Sequence, residues 1–258
     1  MIRAKRLFAA ALSIAACGCS FRPKPAAETE FASWIGPDAA AIAGLDLDKL
    51  RHTPLSQAIP PEWLVAVEPF DQARRAWLSY NGRDLLVIAA GHFSAVPSGA
   101  VAVGHNFVGD DLVLAGSPGA IRAARERHAG GQDGGGQLPR MARELTNEPI
   151  WAVARGGVNF PLRGNSANLE RLLQFTQYAS ASAAWATGVR LRFTGYCADT
   201  QKSQELEESL RAMVTLGRKA VRAADIEAVL DSVRIERQES KVLVSVTADP
   251  AALRRLLR

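Results

Sequence analysis

The sequence predicts an α+β fold: antiparallel sheets with helices packed on one face, arranged as two related halves from an internal duplication. Three observations predict it. Asn81-Gly82 separates the apolar-rich runs Arg74 to Tyr80 and Arg83 to Ala90, and Asn-Gly is the strongest short hairpin signal a sequence offers. Leu206, Leu210, Met213, Val214, Gly217 and Val221 form one apolar stripe on a helix from about Ser203 to Ala223. Finally, a strand–cap–proline–helix segment occurs twice, at Leu112 to Arg122 with Ser117-Pro118 and at Val244 to Arg254 with Asp249-Pro250. In each, a short polar side chain can accept a bond from an orphan helix amide, and proline at the first helical position has no amide to lose. Ala76-Trp77-Leu78 and Ala184-Trp185-Ala186 repeat in the same order, which pairs Trp77 with Trp185.

The elements follow in order. Ala40 to Leu45 is a short apolar strand, and Thr53-Pro54 can cap a helix over Leu55 to Ala58. The Asn81-Gly82 hairpin comes next. Ala100 to Phe107 and Asp111 to Ala115 flank Gly109-Asp110 as a second hairpin, leading into the Ser117-capped helix. Gly130 to Gly136 is glycine-rich and reads as a linker, because Gln137-Leu138-Pro139 after it supplies neither the helix start nor the Lys or Ser/Thr that a phosphate cradle needs. In the second half, Ile150 to Ala154 is a strand, and Asn165 or Ser166 starts a helix carrying Leu169, Leu172 and Leu173 on one face. Ala183 to Arg192 and Phe193 to Ala198 read as paired strands, and Val233 to Glu239 with Lys241 to Thr247 closes the chain as a hairpin about Glu239-Ser240. Glu205, Glu207 and Glu208 lie early in the long helix and Arg218, Lys219 and Arg222 late, matching the helix dipole at both ends.

The first nineteen residues are a different kind of signal. Arg3, Lys5 and Arg6 make a basic start, and Leu7 to Ala16 is uncharged and apolar, ending in small residues. That is the pattern of a secretory signal peptide, and at ten residues it is about half of the ~20 needed to cross a bilayer. Ile14-Ala15-Ala16-Cys17 resembles the bacterial lipobox. The resemblance implies cleavage before Cys17 and acylation of its sulfur and new amino group, with several chains on one residue making a firm anchor. Cys19 is a second candidate with a poorer box, Ala16-Cys17-Gly18. Ser20 to Ala32 mixes Pro, Ala and charge without periodicity and reads as a semi-rigid tether. The expected layout is therefore a signal at 1–16, lipidated Cys17 and tether over 17–32, a first half at 33–129, a linker at 130–148 and a second half at 149–258.

Composition then excludes function classes. The net charge of +5 loses Arg3, Lys5 and Arg6 with the signal, three charges, and falls to +2. No basic patch with interleaved aromatics remains, so no nucleic-acid partner is expected. With two of three cysteines at the cleavage region, Cys197 stands alone in the body, which is no disulfide framework. It lies in a strand-like run and reads as a buried small hydrophobe.

The chemistry-bearing motifs are missing: no His-Glu-x-x-His, Gly-x-Ser-x-Gly, phosphate-binding Gly-x-x-x-x-Gly-Lys or zinc-spaced cysteine pair occurs in the mature body. His92, His105, Asp110 and Asp111 fall close in one expected sheet, but lack ligand spacing, so no metal and no cofactor is assigned. Ser117 is explained by its capping role. Trp77 and Trp185 read as equivalent core positions rather than a sugar-stacking surface. Trp34-Ile35-Gly36-Pro37-Asp38-Ala39 through Leu47 resembles the opening of uncharacterised envelope-attached bacterial domains, in which a Pro-Asp-Ala turn leads into a strand and a leucine-rich helix. That family has no established catalytic residues to carry over.

These readings converge on a non-catalytic, lipid-anchored envelope protein, a binding or assembly module held to the membrane by Cys17, with an envelope protein as a possible partner. Gly18 after the anchor cysteine implies sorting to the outer membrane, facing the periplasm, in preference to the inner one. The alternatives are a carrier of a lipid or small hydrophobic ligand, marked by an apolar cavity, and a hydrolase whose residues assemble from distant positions.

Overall fold

Asn81 makes the hairpin turn by chemistry rather than by propensity alone. Its side-chain oxygen accepts the backbone N–H groups of Arg83 (3.0 Å) and Asp84 (2.7 Å), while Gly82 takes a φ of 95° that glycine alone adopts freely. In this computed structural model the described residues are 31–53, 72–93, 105–108, 111–131, 135–158, 172–185, 188–221 and 223–252. The turn joins β2 (Ala73–Tyr80) to β3 (Leu85–Gly91). The other strands are β1 (Ala41–Asp46), β4 (His105–Val108), β5 (Leu112–Gly116), β6 (Ile150–Arg155), β7 (Thr176–Trp185), β8 (Val189–Cys197), β9 (Arg234–Gln238) and β10 (Lys241–Ala248). All ten form one antiparallel sheet in the order β4-β5-β3-β2-β1-β6-β7-β8-β10-β9. The fold is α+β, as the hairpin signals predict.

That order reads the same from either end once β1 is matched to β6, β2 to β7, β3 to β8, β5 to β10 and β4 to β9. The two halves share a strand plan and meet at the β1–β6 pair. Register adds a second correspondence: β2 is bulged between Ala73 and Arg75 against β3, and β7 between Thr176 and Tyr178 against β8. Aligning the bulges puts Ser180, not Trp185, at the position of Trp77. Trp77 and Trp185 in fact point to opposite faces, so their expected equivalence is wrong. The cap motifs do not superpose either, because β10 has 8 residues against 5 in β5 and carries Asp249 three positions further.

One face, the front, holds Ile42, Trp77, Leu86, Ile88, Leu114, Trp151 and Val153, and against it pack α2 (Pro118–Ala129), α3 (Gln137–Leu145) and the segment from Phe31 to Ala39. The other face, the back, carries α1 (Leu47–Arg51), α4 (Thr200–Ala220) and α5 (Ala224–Ser232). The long helices lie on one face within each half, as expected, but the two halves use opposite faces. Gly44 sits at the centre of the front layer, paired on one side with Trp77 and on the other with Trp151. The indoles meet edge to face, centroids 5.0 Å apart at 88°, and a Cβ on Gly44 would overlap the Trp151 ring.

Several elements differ from expectation. Helix α3 lies inside the stretch expected as linker. Its Leu138, Met141 and Ala142 are buried on one side, and Pro139 is tolerated because the first turn needs no amide from it. The strands expected at Ala183–Arg192 and Phe193–Ala198 are shifted: β7 and β8 are separated after Trp185, and Gly188 leads into β8. Helix α5 was not expected. Asp46 caps α1, accepting the Lys49 amide at 3.0 Å, while Thr53 closes the end of α1 by donating to Leu50 O at 3.0 Å. The helix expected over Leu55 to Ala58, Gly109-Asp110 and the helix start at Asn165 or Ser166 lie outside the described residues.

Candidate functional site

Strand β8 alternates strictly: Val189, Leu191, Phe193, Gly195 and Cys197 face the back, and Arg190, Arg192, Thr194 and Tyr196 face the front. The Gly195–Cys197 end of the apolar set packs under α4, while Val189 and Leu191 pack with Leu50 and Trp185. A Cβ on Gly195 would meet Leu206 Cδ2 at 2.6 Å, and Leu206 itself is fully buried with Cys197 and Val242. The polar set has no helix on it among the described residues. Register extends it across the neighbours: Tyr178, Ser180 and Ser182 on β7, Lys241, Leu243, Ser245 and Thr247 on β10, and Arg234 and Glu236 on β9. Arg155 ends β6 on the same side, opposite Tyr178.

The bulge alignment shows how this surface differs from its counterpart in the first half. Positions filled by Trp77, Leu86 and Ile88 in the first half, beneath α2 and α3, are Ser180, Arg192 and Thr194 in the second. The described long helices of the second half lie on the back, and of the matching front positions Arg192 is exposed, Thr194 half-buried and Ser180 buried. The face carries five cations, Arg155, Arg190, Arg192, Arg234 and Lys241. Glu236 lies among them and Glu148 beside them, 3.8 Å from Arg192. Among the described residues Arg192 is the one of the five with a carboxylate within 4 Å. Lys241 Nζ lies 5.2 Å from the centre of the Tyr196 ring, Arg155 donates to Pro37 O at 2.9 Å, and Arg234 donates to Asp231 O at 2.8 Å.

The residues singled out from sequence fall elsewhere. His92 and Asp111 are 3.4 Å apart and exposed, whereas His105 pairs with Ala115, towards the opposite end of β5 from Asp111; Asp110 lies outside the described residues. Among the described residues no three metal-ligating side chains gather. Ser117 accepts the Ala120 amide at 3.2 Å and donates to Asp84 at 2.9 Å, so its hydroxyl serves as a cap in both directions. Trp77 is core, packed on Trp151 and Phe31; Trp185 is half-buried on the back near Leu50 and Val189. Cys197 is a buried free thiol whose pKa is raised by burial first and by Asp199 second. Cys17 and Cys19 lie outside the described residues. A crevice between Leu45, Asp46, Arg75, Trp77, Thr146 and Trp151 is about the size of one water molecule. No described helix is long and apolar enough to cross a membrane.

A strand break between Arg192 and Phe193 splits the alternation that marks one strand and hides this polar face. The signal was present: Arg190-x-Arg192-x-Thr194-x-Tyr196 interleaved with apolar residues is a period-2 pattern with a charged face.

No protein-family model and no curated protein matches the chain. Among solved structures it is similar to crystal form III of TP0453, at a TM-score of 0.54 and 7% identity, over 86% of this chain and 95% of that one. Crystal forms I and IV of TP0453 align with TM-scores of 0.47 and 0.43, at 9% and 10% identity over 87% and 86% of this chain and 95% and 94% of theirs. The likeness to form III is one of fold, and at this identity it stops there.

Proposed function

We propose that the protein is a non-catalytic, lipid-anchored envelope protein, tethered through acylated Cys17 and acting as a binding or assembly module. The observation that carries this reading is the spacing of two features. Ile14-Ala15-Ala16-Cys17 has the form of a lipobox, and Phe31, the first described residue of the body, is 2% exposed and already part of the main core. The tether expected over 17–32 thus overlaps the body at Phe31 and Ala32, and we read the Pro- and Ala-rich residues before Phe31 as the tether. At roughly 3.1 Å per residue for an extended proline-rich chain, it holds the body within about 45 Å of the anchor. The open polar face of the second half supplies a surface on which such a module would bind.

The anchor is tested by growth with radiolabelled fatty acid. Label enters the wild-type chain and is lost in Cys17→Ser. Label that persists in Cys17→Ser and disappears in Cys19→Ser moves the site, and no incorporation at all removes the anchor from the reading.

A further inference from the structure

We propose that the front face of β8, β10 and β9, exposed at Arg192, Arg234, Glu236, Lys241 and Thr247 and with Arg155 at its margin, is the docking surface for an anionic polysaccharide, a reading that rests on the binding-module function and names its partner. The charge balance is the first support: five cations stand against Glu236 and Glu148, on a body whose net charge is small. The shape is the second. Two inter-strand steps of about 4.8 Å and the run from Arg190 to Tyr196 at about 3.3 Å per residue give a surface of roughly 10 by 20 Å, which suits an extended chain.

The chemistry between the charges is the third support. Thr194, Ser245 and Thr247 present hydroxyls that both donate and accept, matching the hydroxyls of sugars, while Arg190, Arg192 and Lys241 match carboxylate or phosphate groups along the chain; Ser180 and Ser182 on β7 are buried and take no part. A membrane surface fits less well. Interfacial binding needs exposed apolar side chains, and the large exposed apolar residues Leu85, Met213 and Leu216 are all off this face. A protein partner would need an accessible aromatic or aliphatic anchor to bury; on this face the aromatic Tyr196 is half-buried and packs against the main core, as does Tyr178 on neighbouring β7, and the large aliphatic Leu243 is half-buried too.

The test uses the full chain in neutral detergent and immobilised polygalacturonate, with neutral dextran as the control surface. Binding to polygalacturonate at least tenfold tighter than to dextran, weakening as salt rises from 50 to 200 mM, is expected. Arg190→Gln/Arg192→Gln/Lys241→Gln should lose at least tenfold with an unchanged melting temperature. Arg122→Gln/Arg140→Gln/Lys219→Gln, which removes three exposed helix cations, should bind as wild type. Equal affinity for dextran, or equal loss in both triple variants, overturns the proposal. So does displacement by poly-glutamate, single-stranded DNA or phosphatidylglycerol-doped micelles at concentrations no higher than the soluble polysaccharide requires. Displacement by poly-glutamate would leave the binding-module reading standing with a different partner.

Discussion

Gly44 shows how one missing side chain organises the front layer. It sits between two strands at the height where Trp77 and Trp151 meet, and the space a Cβ would take is occupied by the Trp151 indole. Gly44→Ala should therefore lower stability by about 1–3 kcal/mol through overpacking, read as a lower urea midpoint with an unchanged slope. A midpoint equal to wild type would mean that Trp151 moves aside without cost. The glycine and both tryptophans are plain in the sequence, yet nothing there places them in one row. Trp77 was instead matched to Trp185 on composition, and register alone separates those two by a face.

At the scale of elements, α4 is the instructive case. Its apolar stripe is buried only in part: Leu206 is fully buried while Met213 is 41% exposed, and Leu216, outside the stripe, is 67% exposed. The helix outruns the sheet beneath it, and α5 receives only part of its far end, through Gly217 against Leu230. Leu206→Ala should cost about 2–5 kcal/mol as a cavity in the core. Leu216→Gln should stay within about 0.5 kcal/mol, as for a surface change; equal losses in the two variants would place Leu216 in a buried contact. The helix is also held to β9 by charge. Arg211 first, by its hydrogen bond, and then Arg237 lower the pKa of Glu207, whose carboxylate lies 2.8 Å from the one and 2.9 Å from the other. A carboxyl lowered in the folded state stabilises above its unfolded value, about 4.3, and that contribution disappears as pH falls through the folded value. Glu207→Gln should thus be less stable than wild type by up to about 1 kcal/mol near pH 7. The gap should close on acidification through pH 4 in denaturation curves, and a gap that widens there would reverse the sign of the coupling.

For the whole molecule, the decisive feature is the β1–β6 pair, which joins two similarly planned halves into one continuous sheet. Trp77 from one half and Trp151 from the other share a single core across that seam. Chemical unfolding should accordingly follow one transition, with far-ultraviolet dichroism and tryptophan fluorescence superposing. Two separated transitions would mean that the halves are independent domains joined end to end. Among the described residues the long helices lie on the front in one outer quarter of the sheet and on the back in the other.

The α+β class, the hairpin at Asn81-Gly82, the Ser117 cap with its proline and the long helix with its charged ends all follow from local sequence, because each is decided by residues within a turn or two of one another. The proposal of an export signal ending at Cys17 rests on the sequence alone. Three further features were decided only in the tertiary structure: the mirrored strand order, the edge-to-face meeting of Trp77 and Trp151, and the open face bearing Arg190, Arg192 and Lys241. The reason is physical: a strand's alternation tells which residues share a side, but which side is covered depends on where helices far away in sequence come to rest.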